Sequence, residues 1–128
     1  VIVLDASVLL ALVASSDPHH ATAVEILSLD GPFRVHTMSL AEALVRGERD
    51  DRASELISRF DLIGVAELPR QAEEARRLAG LRVQTRLKLP DCCVLLAAES
   101  AAATLATFDG RLARAAQQRG IEVLGADL

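Results

Sequence analysis

Val1-Ile2-Val3-Leu4-Asp5-Ala6-Ser7-Val8-Leu9-Leu10 opens the chain. Four apolar residues end in a carboxylate, and a second apolar run through Ala14 is interrupted only by Ser7 near its start. This pattern reads as a buried strand over Val1 to Leu4 followed by a helix over Ala6 to Ala14. In open parallel sheets, ligands bind in the crevice outside the carboxyl ends of the strands. Asp5 therefore marks the expected working edge, and it also stands where an N-cap for a helix starting near Ser7 would be.

Outward from this stretch the same alternation continues. Asp17-Pro18-His19-His20 reads as a turn into a second helix with Ala23, Ile26 and Leu27 on one face, ended by Gly31-Pro32. A strand is expected over Arg34 to Met38, then helices over Ser39 to Glu48 and Asp50 to Phe60, the latter with Ala53, Leu56, Ile57 and Phe60 at helical spacing. Leu62 to Val65 reads as a third strand. Pro69 opens a helix to about Ala79, which Gly80 weakens before Leu89-Pro90 stops any resumption. A helix over Asp91 to Ala101, a strand over Thr104 to Thr107, a helix over Gly110 to Arg119 and a strand over Ile121 to Leu124 complete the chain. Strands alternating with helices imply a parallel sheet of four to five strands covered on both faces, a three-layer α/β/α fold. At 128 residues, the chain is expected to form a single domain over 1–128.

Composition narrows the function classes. The formal net charge of −4 argues against broad nonspecific adhesion to nucleic acid, while leaving room for a local basic rim. Of the 14 basic residues only Lys88 is lysine, which favours forked hydrogen bonding to phosphate or carboxylate; a GC-rich coding bias produces the same skew. Cys92 and Cys93 are adjacent and have no third cysteine to pair with, so a reducing cytoplasmic setting is expected and their reading is as small buried residues. No window approaches the roughly 20 apolar residues of a membrane-spanning helix, and no cleavable leader is read ahead of the first strand.

Three further acids repeat the placement of Asp5. Glu42 lies in Ser39-Leu40-Ala41-Glu42, which also matches a capping box. Asp91 follows Pro90 at a helix start, where a carboxylate favours the helix dipole. Asp109 precedes Gly110-Arg111 as a natural N-cap. Capping explains each acid alone, yet all four occupy equivalent places in one alternating pattern. Carboxylates gathered in one crevice raise one another's pKa, and helix N-termini and a divalent cation offset that repulsion. Oxygen ligands without histidine or cysteine companions point to Mg²⁺ or Mn²⁺ over zinc, and such ions suit phosphodiester hydrolysis. Ser7 and Thr107, each two residues from an acid, are placed to orient the carboxylates or a water, or to make a local backbone bond. Arg46, Arg49 and Arg52 follow Glu42 at nearly helical spacing, and Arg82, Arg86 and Lys88 precede Asp91. Both groups are candidates to flank the cleft and hold phosphates, or to be solvated faces with pairs such as Glu48 to Arg52. With three phenylalanines and no other aromatic, extensive base stacking is excluded, and His19, His20 and His36 read as turn or surface residues.

The ordered set of Val3-Leu4-Asp5-Ala6-Ser7-Val8-Leu9-Leu10, Glu42, Leu89-Pro90-Asp91 and Thr107-Phe108-Asp109 before Leu112-Ala113 resembles PIN domains. More narrowly, it resembles the VapC toxins of bacterial toxin-antitoxin pairs, over essentially the whole chain. Cys92-Cys93 departs from the small residues usual there. The resemblance implies a Mg²⁺-dependent ribonuclease on a five-stranded parallel sheet, forming a homodimer and inhibited by a VapB-like antitoxin whose C-terminal segment crosses the cleft. It also implies an acidic quartet of Asp5, Glu42, Asp91 and Asp109. Asp5 and Asp91 would lie nearest the metal, with Asp109 and Glu42 on its waters or on a second ion, and the RNA products would carry 5′-phosphate and 3′-hydroxyl ends. An inactive PIN scaffold that binds RNA or protein is the alternative. Receiver and haloacid-dehalogenase-like phosphotransfer domains fit less well. The second needs an aspartate where Ser7 stands, and the first needs a lysine after a late strand, whereas Lys88 precedes Asp91.

Overall fold

The computed structural model of the chain describes residues 1–126, so the last two residues of the expected domain lie outside the described residues. Its strands are β1 (Ile2–Leu4), β2 (Phe33–Val35), β3 (Val65–Glu67), β4 (Thr104–Thr107) and β5 (Val123–Gly125). Its helices are α1 (Ala6–Val13), α2 (His20–Leu27), α3 (Thr37–Arg49), α4 (Ala53–Leu62), α5 (Glu74–Thr85), α6 (Leu89–Ser100) and α7 (Gly110–Gln118). The strands form one sheet in the order β3-β2-β1-β4-β5, with every pairing parallel. This is the α/β architecture expected from the alternation.

Two cores follow from the two-residue period of β1, the central strand. Ile2 and Leu4 face one core with Val8, Leu9, Ile26, Ala43, Leu56 and Phe60, contributed by α1 to α4. Val3, pointing the other way, joins Leu81, Leu95, Leu96, Leu112 and Ala116 from α5, α6 and α7. A strand buried on both faces must be apolar throughout, which accounts for the unbroken run at the start of the chain. Small residues allow close packing: a Cβ added at Gly47 of α3 would lie 2.8 Å from Leu56 Cδ1 and 3.3 Å from Ala53 Cα. Among the described residues, no helix is long and apolar enough to cross a membrane.

Several expected boundaries shift. The third strand is not Leu62 to Val65: the spacing of Ala53, Leu56 and Phe60 carries α4 on to Leu62, which is 87% exposed, and a turn at Gly64 (φ +83°) delays β3 to Val65. Helix α5 does not open at Pro69 but at Glu74, after Glu73 in a left-handed conformation, and it runs unbroken through Gly80. Leu78 and Leu81 pack into the second core, and this burial outweighs a glycine penalty of about 1 kcal/mol. Pro90 sits in the first turn of α6 and so begins the helix, where its missing N–H costs nothing.

The capping box at Ser39 is absent. Strand β2 ends at Val35 instead of Met38, and His36 becomes the N-cap of α3, its Nδ1 accepting from the Met38 N–H at 3.0 Å. Ser39 is thereby carried into the first turn, fully buried, and its Oγ is the one buried side-chain polar atom without a hydrogen-bond partner among the described residues. A capping serine replaced by alanine would cost about 1 kcal/mol. An unpaired buried hydroxyl predicts the opposite: Ser39→Ala is neutral or stabilising by up to about 1 kcal/mol in urea unfolding, and a clear loss of stability would contradict this assignment.

Candidate active site

The sheet order places the topological switch point between β1 and β4, since the chain leaves β1 toward β2 and later returns to its other side. Asp5 follows β1 at this crevice. Leu4 pairs with Ala106, so Asp5 meets Thr107, the last residue of β4, and its N–H donates to the Ala106 carbonyl at 2.9 Å. Asp5 occupies the N-cap position of α1 but makes no side-chain cap bond. Instead its Oδ2 accepts two hydroxyl protons, from Ser7 Oγ at 2.8 Å and from Thr107 Oγ1 at 2.7 Å.

These hydroxyls are held in turn. Ser7 Oγ accepts from the Phe108 N–H at 3.1 Å, and Thr107 Oγ1 accepts from the Asp109 N–H at 3.0 Å. A hydroxyl has a single proton to give, so both are committed to Asp5. Asp5 is 8% exposed, and two charge-assisted bonds offset much of the cost of taking its carboxylate out of water. Its Oδ1 has no hydrogen-bond partner and is not a buried orphan among the described residues, so it faces the solvent side of the crevice.

The other three acids surround this point from different elements. Asp91, half-buried in the first turn of α6, has its carboxyl held above the usual range, first by desolvation and then by the charges of Asp109 and Asp5. Lys88 and Arg111 pull it back. Glu42, exposed on α3, is also pushed up, by desolvation and then by Asp5 and Asp91. Asp109 acts as the expected N-cap of α7, its Oδ1 accepting from the Arg111 and Leu112 N–H groups at 2.9 and 3.3 Å. None of the four acids forms an ion pair among the described residues, where Arg52 pairs with Glu55, Arg119 pairs with Glu99, and the His36 ring lies 3.5 Å from Glu74.

The donor set suits one kind of metal ion and not another. Among the described residues, no three histidine, cysteine or carboxylate side chains converge closely enough to cage an ion. That is unlike a structural zinc site and compatible with Mg²⁺, which keeps several waters and is held by one or two carboxylates. A free Asp5 oxygen with the Asp91 carboxyl in its electrostatic reach is a donor set of that chemical kind.

The candidate basic residues divide. Arg82 Nη1 donates to the Arg86 and Leu87 carbonyls at 2.7 and 2.8 Å, closing the end of α5. Arg86 (φ +61°), Lys88, Arg46 and Arg49 are exposed. Arg46 opens toward a cavity of 550 Å³ between α1, α3 and α4, which Arg52 and Arg59 also line. Arg52 pairs with Glu55 at 3.0 Å rather than with Glu48. Cys92 and Cys93 are free and buried, and burial raises the Cys93 thiol to about 11, as inert core residues require. Sequence reasoning missed Arg111, whose charge acts on Asp91 across the crevice; its place two residues after Asp109 was the available signal. It also missed the half-buried His36–Glu74 pair, at 3.5 Å, which joins the end of β2 to α5.

The raised carboxyls carry a stability consequence. A folded-state pKa above the unfolded value means that the ionised group destabilises the fold, fully above the raised pKa and not at all below the ordinary values of 3.8 for Asp91 and 4.5 for Glu42. Glu42→Gln or Asp91→Asn is therefore expected to raise Tm by about 1–3 °C at pH 8, with the gain disappearing as pH falls below 4. Equal or lower Tm at pH 8 in both variants would show that the acids do not oppose one another.

A model of the PIN domain matches residues 2–118. No curated protein matches the chain significantly in sequence. Among solved structures, VapC20 of Mycobacterium tuberculosis, described as a sarcin-ricin loop cleaving toxin, superposes with a TM-score of 0.76 at 18% identity, covering 90% of this chain and 95% of that one. VapBC2 from Rickettsia felis, bound to a DNA fragment from its promoter, gives 0.72 at 14% identity, covering 98% of each chain. FitAcB from Neisseria gonorrhoeae gives 0.65 at 16% identity, covering 96% of each. These likenesses establish the shared fold. With the family model spanning nearly the whole sheet and the acids at its carboxyl edge, the chain belongs to the PIN domain family.

Proposed function

We propose that this chain is a metal-dependent endoribonuclease toxin, neutralised by a cognate antitoxin. The observation that carries the reading is the Asp5 carboxylate, buried at the switch point, held by Ser7 and Thr107 and left with one free oxygen among unpaired acids. PIN domains are typically nucleases that use divalent metals. The similar folds of VapC20, VapBC2 and FitAcB, two of them complexes, support the toxin assignment and a VapB-like partner.

In this reading, Asp5 and Asp91 would hold Mg²⁺ or Mn²⁺ with Asp109 on the same side, and Glu42 would orient the attacking water from the rim. A divalent ion bound there supplies a Lewis acid for the phosphodiester and an acidified water. The Ser7 and Thr107 hydroxyls fix the direction of the free Asp5 oxygen, so the crevice need not reorganise when RNA arrives. Water oxygen bonds to phosphorus, the bond to O3′ breaks, and O3′ leaves protonated, giving 5′-phosphate and 3′-hydroxyl ends. Arg46, Arg49, Arg86 and Lys88, all exposed, and Arg82 to a lesser degree because it already closes α5, are the candidate phosphate contacts. Arg111 joins them on the Asp91 side. The toxin would act as a homodimer in the cytoplasm.

Purified protein freed of partner should cut single-stranded or looped RNA with Mg²⁺ and stop on chelation. Asp5→Asn and Asp91→Asn should each lower the rate about 100-fold or more, and Mg²⁺ should raise the Tm of the unsubstituted protein but not of Asp5→Asn. Undiminished cleavage by the double variant would overturn the reading. Growth arrest on expression should be relieved by co-expressing the neighbouring reading frame, whose product should copurify.

A further inference from the structure

One exposed feature of the crevice has no part in the chemistry above. His19, in the turn between α1 and α2, lies face to face on Phe108, with ring centroids 4.4 Å apart and planes 10° from parallel. Phe108 occupies the single position between Thr107, which bonds Asp5, and Asp109, and its own N–H bonds Ser7. Its ring is fixed from below by the first core and at one edge by Gly125, where an added Cβ would lie 3.1 Å from Cε1. The imidazole on top of it is exposed.

The fold does not need an aromatic ring at His19. The turn is held by the His19 N–H on Asp17 Oδ1 at 2.8 Å and by His20 Nδ1 against the Ala11 carbonyl at 2.8 Å. At the N-cap of α2, the His19 side chain makes no cap bond. What the stack provides is a flat, pre-oriented aromatic surface on an exposed imidazole, backed by a ring that is next in sequence to Asp109 and hydrogen-bonded through its N–H to the serine that holds Asp5. Unstacked bases of single-stranded RNA are held on such surfaces, histidine included.

Resting on the ribonuclease reading, we propose that His19, backed by Phe108, is a stacking platform for one nucleobase of the RNA strand beside the scissile phosphate. Phe33 and Phe60 are buried and the chain has no tryptophan or tyrosine, so no other phenylalanine backs a platform of this kind. The platform orders one nucleotide and leaves the rest of the strand to phosphate contacts. His19 is a positioning residue: it sets where the strand lies, not the chemical step.

The test uses the full chain and short single-stranded RNAs carrying 2-aminopurine at successive positions, bound with Ca²⁺ in place of Mg²⁺. Fluorescence should be quenched at one position, and His19→Ala should abolish this quenching. In Mg²⁺, His19→Ala should raise KM about tenfold while kcat stays within about twofold. His19→Tyr should restore both signals. His19→Leu, which packs on Phe108 without offering a π-face, should behave like alanine. Recovery by leucine, or an unchanged KM in His19→Ala, would overturn the platform while leaving the ribonuclease reading intact. Absence of RNA binding and cleavage by the unsubstituted protein would remove both.

Discussion

A buried carboxylate without a cation is the constraint on which the site depends. Asp5 ends the central strand, where each side of the sheet departs in its own direction, and the two hydroxyls that hold it come from opposite sides of the crevice. Ser7 belongs to the helix that β1 feeds, and Thr107 ends a strand more than a hundred residues later. The same hydroxyls receive the N–H groups of Phe108 and Asp109, so the carboxylate, the first turn of α1 and the start of α7 form one connected set. Networks of this kind are worth most when every member is satisfied, because the low dielectric that strengthens each bond also makes an unpaired group expensive.

Around this fixed point, the remaining acids show a conflict between folding and function. Glu42 and Asp91 resist ionisation first because they are partly desolvated, and then because of the charges of Asp5 and Asp91 on Glu42 and of Asp109 and Asp5 on Asp91, and no arginine or lysine neutralises them through an ion pair among the described residues. A domain selected only for stability would place a cation there. Helix starts soften the repulsion, since the partial positive charge at the first turn of α6 favours Asp91, and the N–H groups of α7 are satisfied by Asp109. Capping and a place among the clustered acids coexist at Asp109. At Asp5 they do not, since its side chain has left the helix for the neighbouring strand.

Legibility followed the range of the forces involved. Strand β4 and the starts of α1 and α7 were readable because a short apolar run or a clear capping residue decides them locally, while each of the two helices ends one residue before the expected limit. The capping-box alternative at Ser39 and Glu42 failed because Ser-x-x-Glu is a local signal, and the residue that won the cap, His36, is a less common one. The start of β3 and the continuity of α5 depended on burial against partners distant in sequence: Leu56 and Phe60, buried in the first core, carried α4 past the expected strand start, and Leu81 held α5 together across Gly80. Arg82 looked like a phosphate ligand by its position before Asp91, and only the fold of the chain after Thr85 turned its guanidinium onto backbone carbonyls.

The sequence by itself determined the alternation of strands and helices, the parallel sheet and where the four candidate acids fall in it, because apolar periodicity and strand-end placement are properties of contiguous residues. Tertiary structure alone decided that the Thr107 hydroxyl donates to Asp5 and not to the carboxylate of neighbouring Asp109, which acids oppose which, and that His19 lies on Phe108. Each of these is a contact between residues far apart in the chain, made when β1 and β4 become neighbours, and no local pattern encodes a distance across a crevice.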